Sequence, residues 1–520
     1  MSLLDRAAGL IVLRLGSNML PARAAEEDAG AVAELLDRLP FAGLILFNGR
    51  WPVTRDTLAG LQASSDAGLL VATDMERGLG QQVAGATAFP HLMAFGRLAR
   101  RRGDEGAADA VRQFAAASAR EALACGVHVA LAPVADVNRN PRNPIISTRA
   151  FGDQPAQVAR LTAAYVEGAR SEGLLVTAKH FPGHGGTHQD SHAELPLVTD
   201  DREVWEAQDR PPFNAAIAAG ADLVMTAHVA YPALDGAGLP ATRSPRILTD
   251  LLRGEMGFAG AVVTDSLHMA GIEDAGRTEA EVAVEVVAAG ADLILDARDP
   301  VAVAEGIARA VESGELPEAR LDEALGRVEA LRRRLRERFG ADVFREPPIA
   351  HTAVGDAGHA ALAESVAWDA VEVLHGRIEP LGHGRRTLVV LVKAAPRPGE
   401  PEQLALGDAV RRHLPDAAYC ELEPADEGDD AAFESVIARA REAERLVVAM
   451  VVRPAAWRAF GLAARERRLV DRLLEMHPTI LAALGSPRGL EGFRGAAAEV
   501  CAYSDVPASQ WALAELLGGR

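Results

Sequence analysis

Residues 173–192 read GLLVTAKHFPGHGGTHQDSH. The first half is an apolar run of strand length that ends on Lys179 and His180. The second half holds Pro182, Gly183, Gly185 and Gly186, which deny it a helix. His180, His184, His188 and His192 recur every four residues. On a helix that spacing would line one face with imidazoles, but here there is no helix to carry the face. The stretch reads as a buried strand that runs into a tightly turned or mobile loop.

Seven runs of the same kind share the first 300 residues with it: GLIVLRL, AGLILFN, GLLVATD, VHVALAPVAD, ADLVMTAH, GAVVTDS and ADLILD. They show little alternation, as strands buried on both faces should. Stretches of helical period such as AAEEDAGAVAELLDRL and TEAEVAVEVVAAG lie between them. Strand and helix alternating eight times predict a (β/α)8 TIM barrel over residues 1–340. A doubly wound open sheet is the alternative, and eight repeats suit the barrel better.

The runs end on Asn48, Asp74, Asp136, Lys179 with His180, His228, Asp265 and Asp296. In a barrel these ends converge on the face that holds the active site. Each residue alone could equally cap the following helix. So many ionisable ends together favour a functional reading.

Beyond the charged helix LDEALGRVEALRRRLRERFG, residues 341–385 read as a linker with a connecting helix. Residues 386–520 then carry RRTLVVLVKA, AAYCELE, RLVVAMVV, PTILAALG and AEVCAYS. They predict a smaller α/β sandwich, a doubly wound and mostly parallel sheet. Its glycine-rich GHGRRT precedes a strand, whereas a nucleotide fingerprint follows one.

Composition sets the outer limits. A net charge of −19 argues against nucleic acid or an anionic membrane surface as partner. No run approaches the ~18 apolar residues of a membrane span, and the first apolar stretch is cut by Arg14 and reads as a strand. A cytoplasmic protein is expected. Cys125, Cys420 and Cys501 lie far apart, which argues against a disulfide framework or a structural zinc site. Only Lys179 and Lys393 are lysines among 54 basic residues, so Lys179 stands out beside His180.

Asp265, in VVTDSLHM, would point into the barrel mouth as nucleophile, base or metal ligand. Asp74, in VATDMERG, could grip hydroxyls. Arg149, in NPIISTRAFG, could bind hydroxyls or a carbonyl, or simply be solvated. Asp190 and His192 are one residue apart, and in an extended loop they point the same way. Such a carboxylate–imidazole pair moves protons near neutral pH. A metal site is the rival reading, although the first strand has no HxH and the chain has no HExxH.

KHFPGHG, DSH and LP, with NPIISTRAFG before them and TDSLHM after, resemble family 3 glycoside hydrolases, and most of all the bacterial β-N-acetylglucosaminidases. The resemblance spans nearly the whole chain. It implies Asp265 as nucleophile and His192 as general acid/base polarised by Asp190. Asp74, Arg149, Lys179 and His180 would hold the sugar. The implied reaction is retaining removal of terminal β-linked N-acetylglucosamine from muropeptides or chitooligosaccharides. It needs no metal or organic cofactor. The partner would be a small carbohydrate, and the protein a monomer or homodimer.

This chain departs from the pattern in DMERGLGQQV, where Leu79 and Gln82 replace arginines and Arg77 a glycine, and at Gly186, where Asp is common. Two other readings stay open: a β-N-acetylglucosaminide or β-glucoside phosphorylase on the same scaffold, and a non-catalytic sugar-binding descendant.

Overall fold

In the computed structural model, which describes residues 1–519 apart from 20, 192, 273–275, 382–383, 395–403, 424–430 and 455–460, the eight apolar runs are strands. They are β1 (Ile11–Leu15), β2 (Gly43–Leu46), β3 (Leu70–Thr73), β4 (Val129–Ala130), β5 (Leu175–Phe181), β6 (Leu223–Thr226), β7 (Ala261–Val263) and β8 (Ile294–Leu295). All pair in parallel in the order β8-β1-β2-β3-β4-β5-β6-β7. A parallel bridge between Val263 and Leu293 joins the two edges, and the Thr264 N–H donates to the Leu293 carbonyl at 3.0 Å. The sheet closes into the expected barrel.

Alternation along each strand divides two apolar layers. Val12, Ile45, Leu70, Ala72, Leu175, Leu223, Met225, Ala261, Val263 and Leu295 pack together inside the barrel. Ile11, Leu13, Leu44, Val71, Val176, Val224, Val262 and Ile294 face the surrounding helices. Close strand packing needs glycine at Gly43, where a Cβ would lie 2.0 Å from the Leu70 carbonyl oxygen. The helix Glu318–Phe339 closes the floor: Val328, Leu331 and Leu335 join the interior cluster. Arg332 donates to the carbonyls of Gly68 and Ala42, each at 2.9 Å.

The second sheet contains β9 (Glu372–Gly376), β10 (Thr387–Val392), β11 (Ala418–Leu422), β12 (Arg445–Val452), β13 (Thr479–Gly485) and β14 (Ala498–Cys501). Its order is β9-β14-β13-β12-β10-β11, parallel except for the antiparallel β9–β14 edge. The five runs read as strands are β10 to β14. Residues 341–385 also contain the helix Ala357–Ala370 and β9 itself. Four of the five β9 residues are exposed, so EVLHG lacks the apolar run that marks its neighbours.

This domain and the connecting helix rest on barrel segments that follow β3 and β4. His91 Nδ1 lies 2.8 Å from Ser504 Oγ, Arg102 Nε donates to Asp369 of the connecting helix at 2.6 Å, and Arg488 donates to the Pro141 carbonyl at 3.2 Å. Among the described residues no helix is long and apolar enough to cross a membrane.

Candidate active site

The period of two continues past the packed interior. After Val12 comes Arg14, after Ala72 comes Asp74, after Leu175 and Thr177 comes Lys179, and after Val263 comes Asp265. Each ionisable residue thus follows on the inward face of its strand, where the core ends and the mouth begins.

On the β3–β5 side these groups form a chain of charge. The Lys179 ammonium lies 2.7 Å from Asp74 Oδ1 and 2.8 Å from Glu76 Oε1. Arg149 grips Glu76 with two donors, Nε and Nη2, at 2.8 Å each. Its Nη2 also reaches His180 Nε2 at 3.3 Å. His180 Nδ1 lies 2.6 Å from Asp136 Oδ2. The carboxylate keeps the proton on Nδ1, and Nε2 is left to accept from Arg149. Asp136 Oδ1 accepts the His184 backbone N–H at 2.6 Å.

Burial opposes charge on Glu76, yet Arg149 and Lys179 overcome it and hold the carboxyl well below its ordinary range. Burial likewise opposes the Lys179 ammonium, and Asp74 and Glu76 more than offset it, so that its pKa is raised. Asp136 is lowered against its burial by His180.

The β7 side holds Asp265. It is half-buried, and its Oδ1 accepts the Ser266 N–H at 2.8 Å. Ser266 is fixed from two directions. Its hydroxyl donates to Asp296 Oδ2 at 2.5 Å, and its carbonyl accepts from His228 Nε2 at 3.1 Å. Arg14 in turn clamps Asp296, with Nε at 2.7 Å from Oδ1 and a second contact through Nη2.

The loop after β5 is pinned along its backbone. The carbonyls of Pro182, Gly183, His184 and Thr187 accept from Trp205 Nε1 at 2.9 Å, the Tyr231 hydroxyl at 2.5 Å, Asn143 Nδ2 at 2.8 Å and Asn140 Nδ2 at 2.7 Å. His184 is buried between Thr187 Oγ1 and Ser191 Oγ, 2.9 Å from each, and burial lowers its pKa to about 4. It is a neutral strut. His188 is exposed beside Asn140. Asp190 is half-buried, and its carbonyl accepts the Ala193 N–H at 3.0 Å. His192, the expected acid/base, lies outside the described residues.

Asp74, Arg149, Lys179 and His180 are therefore brought into one network, and Asp265 stands on the inward face of β7. Glu76, which links Lys179 to Arg149, escaped the sequence reading. Its signal was parity: it lies two residues beyond Asp74. The departures at Leu79 and Gln82 are both buried. Among the described residues no three His, Cys, Asp or Glu side chains come together as a metal site would require.

The family model described as "Glycosyl hydrolase family 3 N terminal domain" matches residues 11–331. Beta-hexosaminidase A of Pseudoalteromonas piscicida is 33% identical over 384 residues, 67% of this chain and 62% of that protein. The chain thus spans under two thirds of this relative's length. A beta-hexosaminidase of Stenotrophomonas maltophilia is 39% identical over 291 residues, 55% of this chain and 84% of the relative. A solved family 3 beta-N-acetylglucosaminidase from Paenibacillus superposes with a TM-score of 0.86 at 29% identity, covering 100% of this chain and 97% of the other.

Proposed function

The chain belongs to glycosyl hydrolase family 3, and from that premise we propose that it is a retaining exo-β-N-acetylglucosaminidase. Its substrate would be a muropeptide or chitooligosaccharide with a terminal β-linked N-acetylglucosamine, and its chemistry would lie in the barrel, taken as residues 1–340. The reading is carried by one observation: a carboxylate, Asp265, on the inward face of β7, in a mouth also lined by the network of Asp74, Glu76, Lys179 and Arg149. The names of the relatives support the choice of sugar.

Asp74 is the most open of the network's buried ion pairs: its side chain is 26% exposed, against 3% for Lys179. With Oδ1 held by Lys179, the carboxylate presents an acceptor to sugar hydroxyls. His180 sits deeper, and with Arg149 it fixes the wall beside Asp74.

In the reaction Asp265 attacks the anomeric carbon while His192 gives its proton to the glycosidic oxygen. The carbon–oxygen bond to the aglycone breaks, and an ester to Asp265 forms. His192, now neutral, takes a proton from water, whose oxygen displaces Asp265 and restores the β-configuration. Asp190 stabilises the imidazolium form.

The test is nitrophenol release from aryl β-N-acetylglucosaminide and aryl β-glucoside, with and without phosphate. We expect turnover of the N-acetyl substrate, no phosphate requirement, and a loss on the order of 10⁴-fold or more in Asp265→Asn with the fold intact. Retained activity in that variant would remove Asp265 from the mechanism. Formation of the sugar 1-phosphate would make the enzyme a phosphorylase instead.

A further inference from the structure

The glycines of the 182–191 loop lie over two side chains to which neither the fold nor the reaction above gives a part. Arg139, in the loop after β4, donates from Nε and Nη2 to the two oxygens of Asp209 at 3.2 and 2.8 Å, and from Nη1 to Asp200 at 2.8 Å. Asp209 is fully buried, and the Arg139 side chain is 15% exposed. Asp209 sits at the junction of the helices Arg202–Gln208 and Arg210–Ala218. The ion pair therefore ties the β4 loop to the segment that follows the catalytic loop.

We propose that Arg139 and Asp209 are positioning residues: a buried ion pair on which Gly183 and Gly186 rest, and which sets the place of the loop that bears Asp190. A Cβ at Gly183 would lie 2.9 Å from Asp209 Cβ, and one at Gly186 would lie 2.4 Å from Arg139 Nη2 and 2.9 Å from its Cζ. A Cβ at the intervening Gly185 would lie 1.8 Å from the Val137 carbonyl oxygen. The loop backbone is thus flush with the pair, at a distance that any side chain would break.

Glycine at 186, where the family resemblance suggests aspartate, has the same cause: the guanidinium of Arg139 fills the space. Arg139 cannot swing away without leaving two carboxylates behind. With the pair in place, the loop's carbonyls meet their donors on Asn140, Asn143, Trp205 and Tyr231.

The role in catalysis rests on the proposed function, in which this loop carries the proton-transfer pair. Three variants test it: Arg139→Met, Asp209→Asn and Gly186→Ala. The last leaves both charges in place and adds one methyl under the loop. Two readouts are taken. Hydrogen exchange of the amides of 183–191 reads loop order without substrate, and we expect it to rise at least tenfold in each variant while the barrel strands stay protected. Aryl β-N-acetylglucosaminides with good and poor leaving groups read proton transfer. We expect the poor leaving group to lose at least tenfold more rate than the dinitrophenyl substrate, with KM for the poor leaving group within twofold. Azide, which needs no general base, should restore turnover of the dinitrophenyl substrate as the glycosyl azide.

Unchanged exchange in Gly186→Ala and Asp209→Asn would overturn the proposal whatever the activities. Raised exchange with equal losses on both leaving groups and no azide rescue would overturn the role in proton transfer. A wild-type protein silent on every N-acetylglucosaminide would sink the functional reading instead, and exchange would still decide whether the pair holds the loop.

Discussion

The two ends of the barrel carry the same kinds of residue and put them to opposite uses. At the floor, Asp292 accepts from Arg253 at 2.6 Å, Arg320 at 2.7 Å, Arg327 at 3.0 Å and the Val262 N–H at 2.9 Å. Asp222 is held by Arg170 at 2.8 Å, the Val176 N–H at 3.1 Å and Arg334. Each carboxylate is outnumbered by guanidiniums and also anchors the N–H of the second residue of a neighbouring strand. At the mouth that excess disappears: Asp74, Glu76 and Asp136 share Lys179, Arg149 and His180, three partners for three carboxylates. A carboxylate enclosed by protein donors has nothing left for a ligand. One with a single partner and an open edge does. The barrel end, rather than the residue type, separates structure from function.

The sharpest way to break this contrast is Asp292→Asn. It would leave three arginines facing one another around a neutral amide. Losing one partner of a buried ionic cluster costs about 3–5 kcal/mol. Denaturant unfolding should show that loss, and kcat/KM of the folded protein should not change. A fall in kcat/KM without loss of stability would mean that the floor is coupled to the chemistry.

A second contrast uses two buried histidines. His128 lies at the floor just before β4, and its Nδ1 accepts the Val71 N–H at 3.2 Å; His184 lies within the loop after β5. Burial lowers both to about 4. Between pH 6.5 and 4 the unfolded imidazole binds a proton and the folded one does not, so stability falls as pH falls through that window. Each site accounts for a loss on the order of 3 kcal/mol. His128→Leu and His184→Asn should each flatten the slope of unfolding free energy against pH there. Only His184→Asn should also lower kcat, because His184 ties Thr187 to Ser191. An equal effect on kcat from His128→Leu would dissolve the distinction between the ends.

Much of this arrangement was legible in the sequence because the strands are buried on both faces. GLLVTAKH and GAVVTDS are continuous apolar runs, and their last residues mark the mouth without any knowledge of tertiary contacts. β9 was not legible, because EVLHG is an exposed edge and carries no such run. Glu76 was missed because the reading stopped at the strand end, although the alternation of side chains carries one step further. Arg139 and Asp209 could not have been paired from the sequence. They are 70 residues apart, and what joins them is the path of a loop whose glycines show only that something must approach closely. Leu79 and Gln82 stand where the family resemblance puts arginines, and both turn out to be buried positions.

The mildest substitution bears most directly on the mouth. Asp74→Asn keeps the size of the side chain and removes its charge. Lys179 retains Glu76 at 2.8 Å, so the ammonium is not stranded. With Asp74 26% exposed, water can solvate the amide and stability should hold. On the proposed role, the loss is that of a charge-assisted hydrogen bond to the sugar, about 1.5–3 kcal/mol, or roughly 10- to 100-fold in kcat/KM. On the role proposed for Asp74, which grips the sugar and moves no proton, the loss should be the same for good and poor leaving groups. Should the leaving group matter, Asp74 would belong to the proton-transfer machinery, and the division between a binding wall on β3–β5 and a reacting group on β7 would have to be redrawn.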